Sequence, residues 1–140
     1  MKQAARRRIM LVDDDADFLA QQKLRFERAG YEAVTVEGPD QARAALMQNR
    51  PDLVVVDLMM GDMDAGIVLA HEFKRARPDL PIILVTGVTR ETGLVFDADT
   101  AEARRWLWVD KVMAKPVRFA QLQAEVERLL ARPPAAGGKT

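Results

Sequence analysis

The sequence predicts a single-domain α/β protein built on a doubly wound, five-stranded parallel sheet with helices on both faces. Three observations predict it. Short apolar runs recur along the 140 residues, at 9–12, 33–36, 53–57, 82–86 and 111–114, and alternate with stretches of helical spacing. The strongest of these runs are apolar at every position, which suits strands covered on both faces rather than half-solvated ones. Polar residues with chemical potential (Asp13, Asp14, Asp57, Thr86 and Lys115) fall at or just past the ends of the runs. That is where open parallel sheets hold their ligands.

The elements follow in order. Ile9 to Val12 reads as a short buried strand. Asp15 to Ala29 reads as a helix whose mainly apolar face carries Phe18, Leu19, Lys23, Phe26 and Ala29, with Gly30 placed to end it. Ala33 to Val36 is the second strand. Gly38-Pro39-Asp40 opens the second helix, proline being suited to the first helical position, and Ala42, Ala45 and Leu46 face inward before Pro51 stops it. Leu53 to Asp57 is the third strand, β-branched at Val54, Val55 and Val56. A loop from Leu58 to Ala65 leads to a helix from about Gly66 to Arg77. Pro78 and Pro81 bracket the turn into the fourth strand, Ile82 to Thr86. The stretch from Val88 to Val109 is the least regular, with helical composition over Thr100 to Leu107. Lys111 to Ala114 is a weak fifth strand, and Phe119 to Leu130 a last helix with Leu122, Val126, Leu129 and Leu130 on one face. One domain is expected over 8–131, with 1–7 as a lead-in and 132–140 as a flexible tail or linker stub.

Composition narrows the function classes. The 21 basic and 21 acidic residues balance, so net charge gives no support to a direct nucleic-acid or membrane-surface partner. Without cysteine there is neither a disulfide framework nor a thiolate metal site. No apolar stretch approaches the length of a membrane span. The basic residues Arg6 to Arg8 precede only four apolar ones, too few for an export signal, so a cytoplasmic location is expected.

The chemistry concentrates in acids. Asp13, Asp14 and Asp15 follow the first strand and Asp57 closes the third. Carboxylates gathered at one sheet edge repel unless a divalent cation or phosphate chemistry accounts for them. Each residue also has a plainer reading. Asp15 suits a helix N-cap, Asp57 a strand-ending turn, Thr86 a strand and Lys115 an exposed turn. Asp62 and Asp64 are expected to stay solvated, and His71, the only histidine, to lie on the surface.

Taken together, Val12-Asp13-Asp14, Asp57 after its apolar strand, Thr86-Gly87 and Lys115-Pro116 resemble the signature of response-regulator receiver domains. The loop Asp57-Leu58-Met59-Met60-Gly61-Asp62-Met63-Asp64 is similar to that family's phosphoacceptor loop, and the resemblance spans about residues 8 to 131. It implies a flavodoxin-like (CheY-like) fold with strand order 2-1-3-4-5. It implies that Asp57 accepts a phosphoryl group from a sensor histidine kinase or phosphotransfer protein. Asp13, Asp14, Asp57 and the Met59 backbone carbonyl would hold Mg²⁺, while Thr86 and Lys115 would meet the phosphoryl oxygens. The chemistry suits those roles, because phosphoryl transfer needs positioning and counter-charge more than covalent help. The only catalysis expected is of its own phosphorylation and dephosphorylation. Output would pass through the face made by the fourth connection, the fifth strand and the last helix, to a protein target or to an output domain elsewhere. The resemblance also admits a phosphorylation-dependent dimer.

The chain departs from the family's usual pattern at several places. Gly61 stands for the usual proline and Ala65 for the usual glycine, with Gly66 available to turn instead. Val112 stands for the aromatic residue three before the lysine, and a stiff β-branched side chain has no ring to swing. Trp108-Val109 replaces a Gly-Ala pair, and the connection from Thr86 to Lys115 is extended. Its Trp106 and Trp108 pack on the sheet edge or serve, beside Arg104 and Arg105, as a partner-reading surface. Met59 and Val88, both apolar, border the phosphoryl position and imply a long-lived phospho-Asp57. Two other functions compete. A phosphorylation-independent pseudo-receiver would keep the fold as an interaction module. A haloacid-dehalogenase-type phosphatase would need a second acid where Met59 stands.

Overall fold

Parallel pairing of every strand with its neighbours sets the architecture seen in a computed structural model of the chain, which describes residues 6–57, 65–87, 105 and 108–131. The strands are β1 (Arg8–Val12), β2 (Glu32–Val36), β3 (Leu53–Asp57), β4 (Ile82–Thr86) and β5 (Lys111–Ala114). The helices among the described residues are α1 (Ala16–Arg28), α2 (Pro39–Asn49), α3 (Ala65–Ala76) and α4 (Phe119–Ala131). The sheet order is β2-β1-β3-β4-β5, the order the resemblance implied. Register pairs Val12 with Val56, Asp57 with Val85 and Thr86 with Ala114, so the strand ends come level at one edge.

Alternation along the strands divides the core in two. Met10, Val12, Val54, Val56, Ile82 and Leu84 pack beneath α2 and α3 with Leu46, Leu69 and Phe73. Ile9, Leu11, Leu53, Val55, Ile83 and Val85 pack on the other face with Leu19, Phe26, Leu122 and Val126 of α1 and α4. Because both faces are covered, the strands read as unbroken apolar runs. Phe26 anchors the second core, meeting Phe119 and Tyr31 edge-on at ring-centroid distances of 4.9 and 5.7 Å.

Local chemistry sets the helix ends. Asp15 caps α1, its Oδ1 accepting from the Asp17 and Phe18 amides at 3.1 and 3.2 Å. The chain leaves α1 through Gly30 at φ 102°, a left-handed conformation that glycine adopts without steric cost. Pro39 opens α2, and Arg50 ends it at φ 51° just before Pro51.

Several expectations need correction. On α1 the inward residues are Leu19, Gln22 and Phe26; Ala29 is an exposed cap, and Lys23 is only half-buried, its Nζ bonding the Ala33 carbonyl at 2.9 Å. Gly66 sits within α3, not in the turn before it. His71 is half-buried rather than exposed, its ring 6.2 Å from that of Trp108 and its Nε2 buried without a described partner. Trp108 is itself 42% exposed, so it is not core. It takes φ 58° where the resemblance leads one to expect glycine, a left-handed conformation that costs a residue with a β-carbon roughly 1–2 kcal/mol. Trp106, Asp62, Asp64 and most of the extended connection lie outside the described residues.

At the sheet edge away from the acids, α3 is tied to the start of β5. Lys74, buried in α3, places Nζ 2.8 Å from Asp110 Oδ2, and the same oxygen accepts the Ile82 amide at 2.8 Å. Asp110 returns its own amide to the Ile82 carbonyl at 2.9 Å. Removing one partner strands the other in a desolvated site. Asp110→Ala is therefore expected to destabilise the fold by about 3–5 kcal/mol, read as a lower urea midpoint.

Candidate functional site

The strand ends deliver the site. Val12 finishes β1 beside Val56, and the next residue, Asp13, donates its amide to the Val36 carbonyl at 3.2 Å, extending the β1–β2 contact by one residue. Asp13 is therefore fixed as firmly as the sheet, and only 2% of its surface is exposed. Its Oδ1 accepts the Asp15 amide at 2.9 Å, linking it to the cap of α1. Asp57, 6% exposed, is the last residue of β3 and points from the same edge. Asp14 is solvent-exposed between them. Carboxylate oxygens of Asp13, Asp14 and Asp57 all lie within 4.8 Å of one another.

Lys115 closes the cluster from β5. Its amide donates to the Thr86 carbonyl at 2.8 Å, carrying the β4–β5 register one step past Ala114. The ammonium sits 3.0 Å from Asp13 Oδ2 and 3.6 Å from Asp57 Oδ2. Burial alone pulls the Lys115 pKa down, but the hydrogen bond and charge of Asp13, joined by those of Asp57, outweigh it and leave the group above its ordinary value. Thr86 is at the adjoining strand end, its hydroxyl donating to the Gly87 carbonyl at 3.3 Å. Beside Lys115 a cleft of about 660 Å³ opens between α1 and the turn after β5, lined by Phe18, Gln22, Arg25, Pro116 and Val117.

The structure thus brings together Asp13, Asp14, Asp57 and Lys115, with Thr86 beside them. Met59 and Val88 lie outside the described residues. Asp15 belongs to the cap rather than to the cluster. The donor set fits a hard divalent cation: three carboxylates, two of them buried, with a cluster charge that a single ammonium offsets only in part. Sequence reasoning missed Phe18 as part of this neighbourhood. Its ring lies beneath the Lys115 ammonium, 4.9 Å from ring centroid to Nζ. The available signal was its place three residues after the cap, where helical geometry returns a side chain to the N-terminal end.

Comparison with known proteins agrees with this geometry. The family model described as the response regulator receiver domain matches residues 9–127. The chain is 30% identical over 126 residues to the phosphate regulon transcriptional regulatory protein PhoB of Pseudomonas aeruginosa, covering 89% of this chain and 52% of that protein. It is 26% identical over 126 residues to the alkaline phosphatase synthesis transcriptional regulatory protein PhoP of Bacillus subtilis, covering 90% of this chain and 49% of that one. The chain thus spans about half the length of these relatives. Among solved structures, a CheY-like response regulator receiver domain protein from Methanospirillum hungatei superposes with a TM-score of 0.76 at 25% identity, over 90% of this chain and 94% of that chain. The receiver domain of NtrX from Brucella abortus gives 0.74 at 27% identity, over 89% and 99%.

The raised Lys115 pKa has a consequence for stability. Its folded-state value exceeds its unfolded one, so the contribution is fully present below the unfolded value of about 10.4 and lost as pH rises through the folded value. The urea midpoints of wild type and Lys115→Met are expected to keep a constant separation near neutral pH. Above about pH 10.4 the wild type is expected to lose stability relative to the variant.

Proposed function

This chain belongs to the response regulator receiver domain family of two-component signal transduction, and on that premise we propose that it is a phosphorylation-controlled switch with Asp57 as phosphoacceptor. The observation that carries this reading is the convergence of Asp13, Asp14 and Asp57 within 4.8 Å, with the Lys115 ammonium 3.6 Å from Asp57. A carboxylate oxygen of Asp57 attacks phosphorus, the bond to the donor's histidine nitrogen breaks, and an acyl phosphate forms. Lys115 then pairs with one phosphoryl oxygen as a compact charge on a long stem. Thr86 gives up its contact with the Gly87 carbonyl and donates to another oxygen.

Asp13, Asp14 and Asp57 are the residues that would hold Mg²⁺, with the Met59 carbonyl as the further ligand the resemblance implies. Bound there, the ion would supply the positive charge that lets a phosphate approach carboxylates. The chain's own residues do the rest. Asp13 is locked by the β1–β2 edge and the α1 cap, and Asp57 is held by β3. Neither has to reorganise when charge develops.

Signalling follows from differential contact: the phosphoryl group favours the arrangement in which Thr86 and Lys115 both meet it. With Val112 buried and lacking a ring, the exposed Trp108 is, among the described residues of this region, suited to reporting that change to a partner. The donor in this proposal is a sensor histidine kinase or phosphotransfer protein. The receiver of the signal is a protein target or an output domain, as the regulatory names of relatives twice this length suggest. The chain's catalysis is confined to its own phosphorylation and dephosphorylation, in the cytoplasm. No helix of the described residues is long and apolar enough to cross a membrane.

Intact-mass measurement after incubation with Mg²⁺ and acetyl phosphate tests the assignment. Wild type is expected to gain one phosphoryl group and Asp57→Asn none. No gain by wild type, with no change in tryptophan fluorescence on adding beryllofluoride, would instead favour the phosphorylation-independent interaction module.

A further inference from the structure

Four contacts close a ring beside the acidic cluster. Asp13 Oδ1 accepts the Asp15 amide at 2.9 Å, and Asp15 Oδ1 accepts the Phe18 amide at 3.2 Å. The Phe18 ring lies 4.9 Å from Lys115 Nζ, and Lys115 Nζ returns to Asp13 Oδ2 at 3.0 Å. The N-cap of α1 thus fixes both a cation-binding carboxylate and the aromatic face on which the lysine rests. From this we propose that Phe18 is a positioning residue for Lys115. Its ring keeps the ammonium over the site when the charge of Asp13 is shared with a divalent cation.

The geometry gives the reason. Lys115 is held more closely by Asp13, at 3.0 Å, than by Asp57, at 3.6 Å. Its resting contact is therefore with a residue that the cation claims. Once Asp13's charge is engaged elsewhere, a lysine on a four-carbon stem gains rotamer freedom and solvent access, because its side chain is still 28% exposed. The Phe18 ring is not claimed by the cation. Its negative face attracts an ammonium whether or not Asp13 is free, and the half-buried setting weakens competition from water. An aliphatic side chain would fill the same space without that attraction. Among the described residues that line the cleft there is no second aromatic ring; Asp15, Gln22, Arg25, Pro116 and Val117 are among the others. The role rests on the phosphoacceptor reading of Asp57, while the contact itself does not.

Two readouts test it on the full chain. In the metal-free wild type, the methylene protons of Lys115 next to the ammonium are expected to resonate upfield of their usual position, through the ring current of Phe18. Phe18→Leu is expected to abolish that shift and to slow phosphoryl gain from acetyl phosphate in Mg²⁺ by about three- to tenfold. Phe18→Tyr is expected to restore both, and because its ring fits the same space it also guards against a leucine variant that folds poorly. Unshifted Lys115 methylenes in wild type, a Phe18→Leu rate equal to wild type, or a Phe18→Tyr as slow as Phe18→Leu would each overturn the role. A wild type that gains no phosphoryl group would remove the phosphoacceptor reading itself, whatever the Lys115 shifts. A phosphorylated wild type beside an unslowed leucine variant would remove the role of Phe18 alone.

Discussion

Like-charge repulsion is the constraint on which the rest of the structure depends. Two unit charges at the 4.8 Å span of the Asp13, Asp14 and Asp57 oxygens repel by about 3–4 kcal/mol at an effective dielectric of 20, less where Asp14 meets water. A sheet edge that carries this load must hold its carboxylates by the backbone. It does so in two ways. The β1–β2 and β3–β4 registers run up to Asp13 and Asp57 themselves, and the first turn of α1 offers its amides and the positive end of its dipole to the acids preceding it. Lys115 then offsets part of what remains.

That arrangement explains why the core is built as it is. The strands can be short because both faces are buried, Met10, Val54 and Ile82 toward α2 and α3, and Ile9, Val55 and Ile83 toward α1 and α4. A five-residue strand covered on both sides is rigid enough to aim the residue that follows it. The acids gather at one edge, while the Lys74–Asp110 pair at the other joins α3, β4 and β5. One ion pair is largely buried and structural. The other, at Lys115, is partly open and shared between two acids.

Much of this was legible in the sequence, because the signals are local. Apolar β-branched runs gave the strands, Asp15 and Pro39 announced helix starts, and Gly30 an exit. The positions of Asp13, Asp14, Asp57, Thr86 and Lys115 at run ends announced a shared edge. What escaped depends on tertiary contacts. Gln22 turns inward because it shares a helical face with Leu19 and Phe26, while Ala29, one residue past the helix, is exposed. Lys74 looks like any surface lysine until Asp110, 36 residues on, meets it in the fold. His71 is half-buried because Trp108 lies against it, and Trp108 stands there at a left-handed φ that its own chemistry disfavours. Phe18 reads as an apolar helix residue, and only the placement of Lys115 from the far end of the chain gives it an electrostatic role. The readings placed on Met59, Val88 and Trp106 concern residues outside those described.

A carboxylate edge under this electrostatic load is expected to take up a divalent cation. A ligand that binds only the folded chain raises its stability in proportion to the logarithm of its concentration above the dissociation constant. The most direct measurement is thermal unfolding of wild type and Asp13→Asn across a MgCl₂ series at constant ionic strength. The midpoint is expected to climb with Mg²⁺ in the wild type and to stay nearly flat in the variant. A wild-type midpoint indifferent to Mg²⁺, or an equal climb in both proteins, would contradict that expectation.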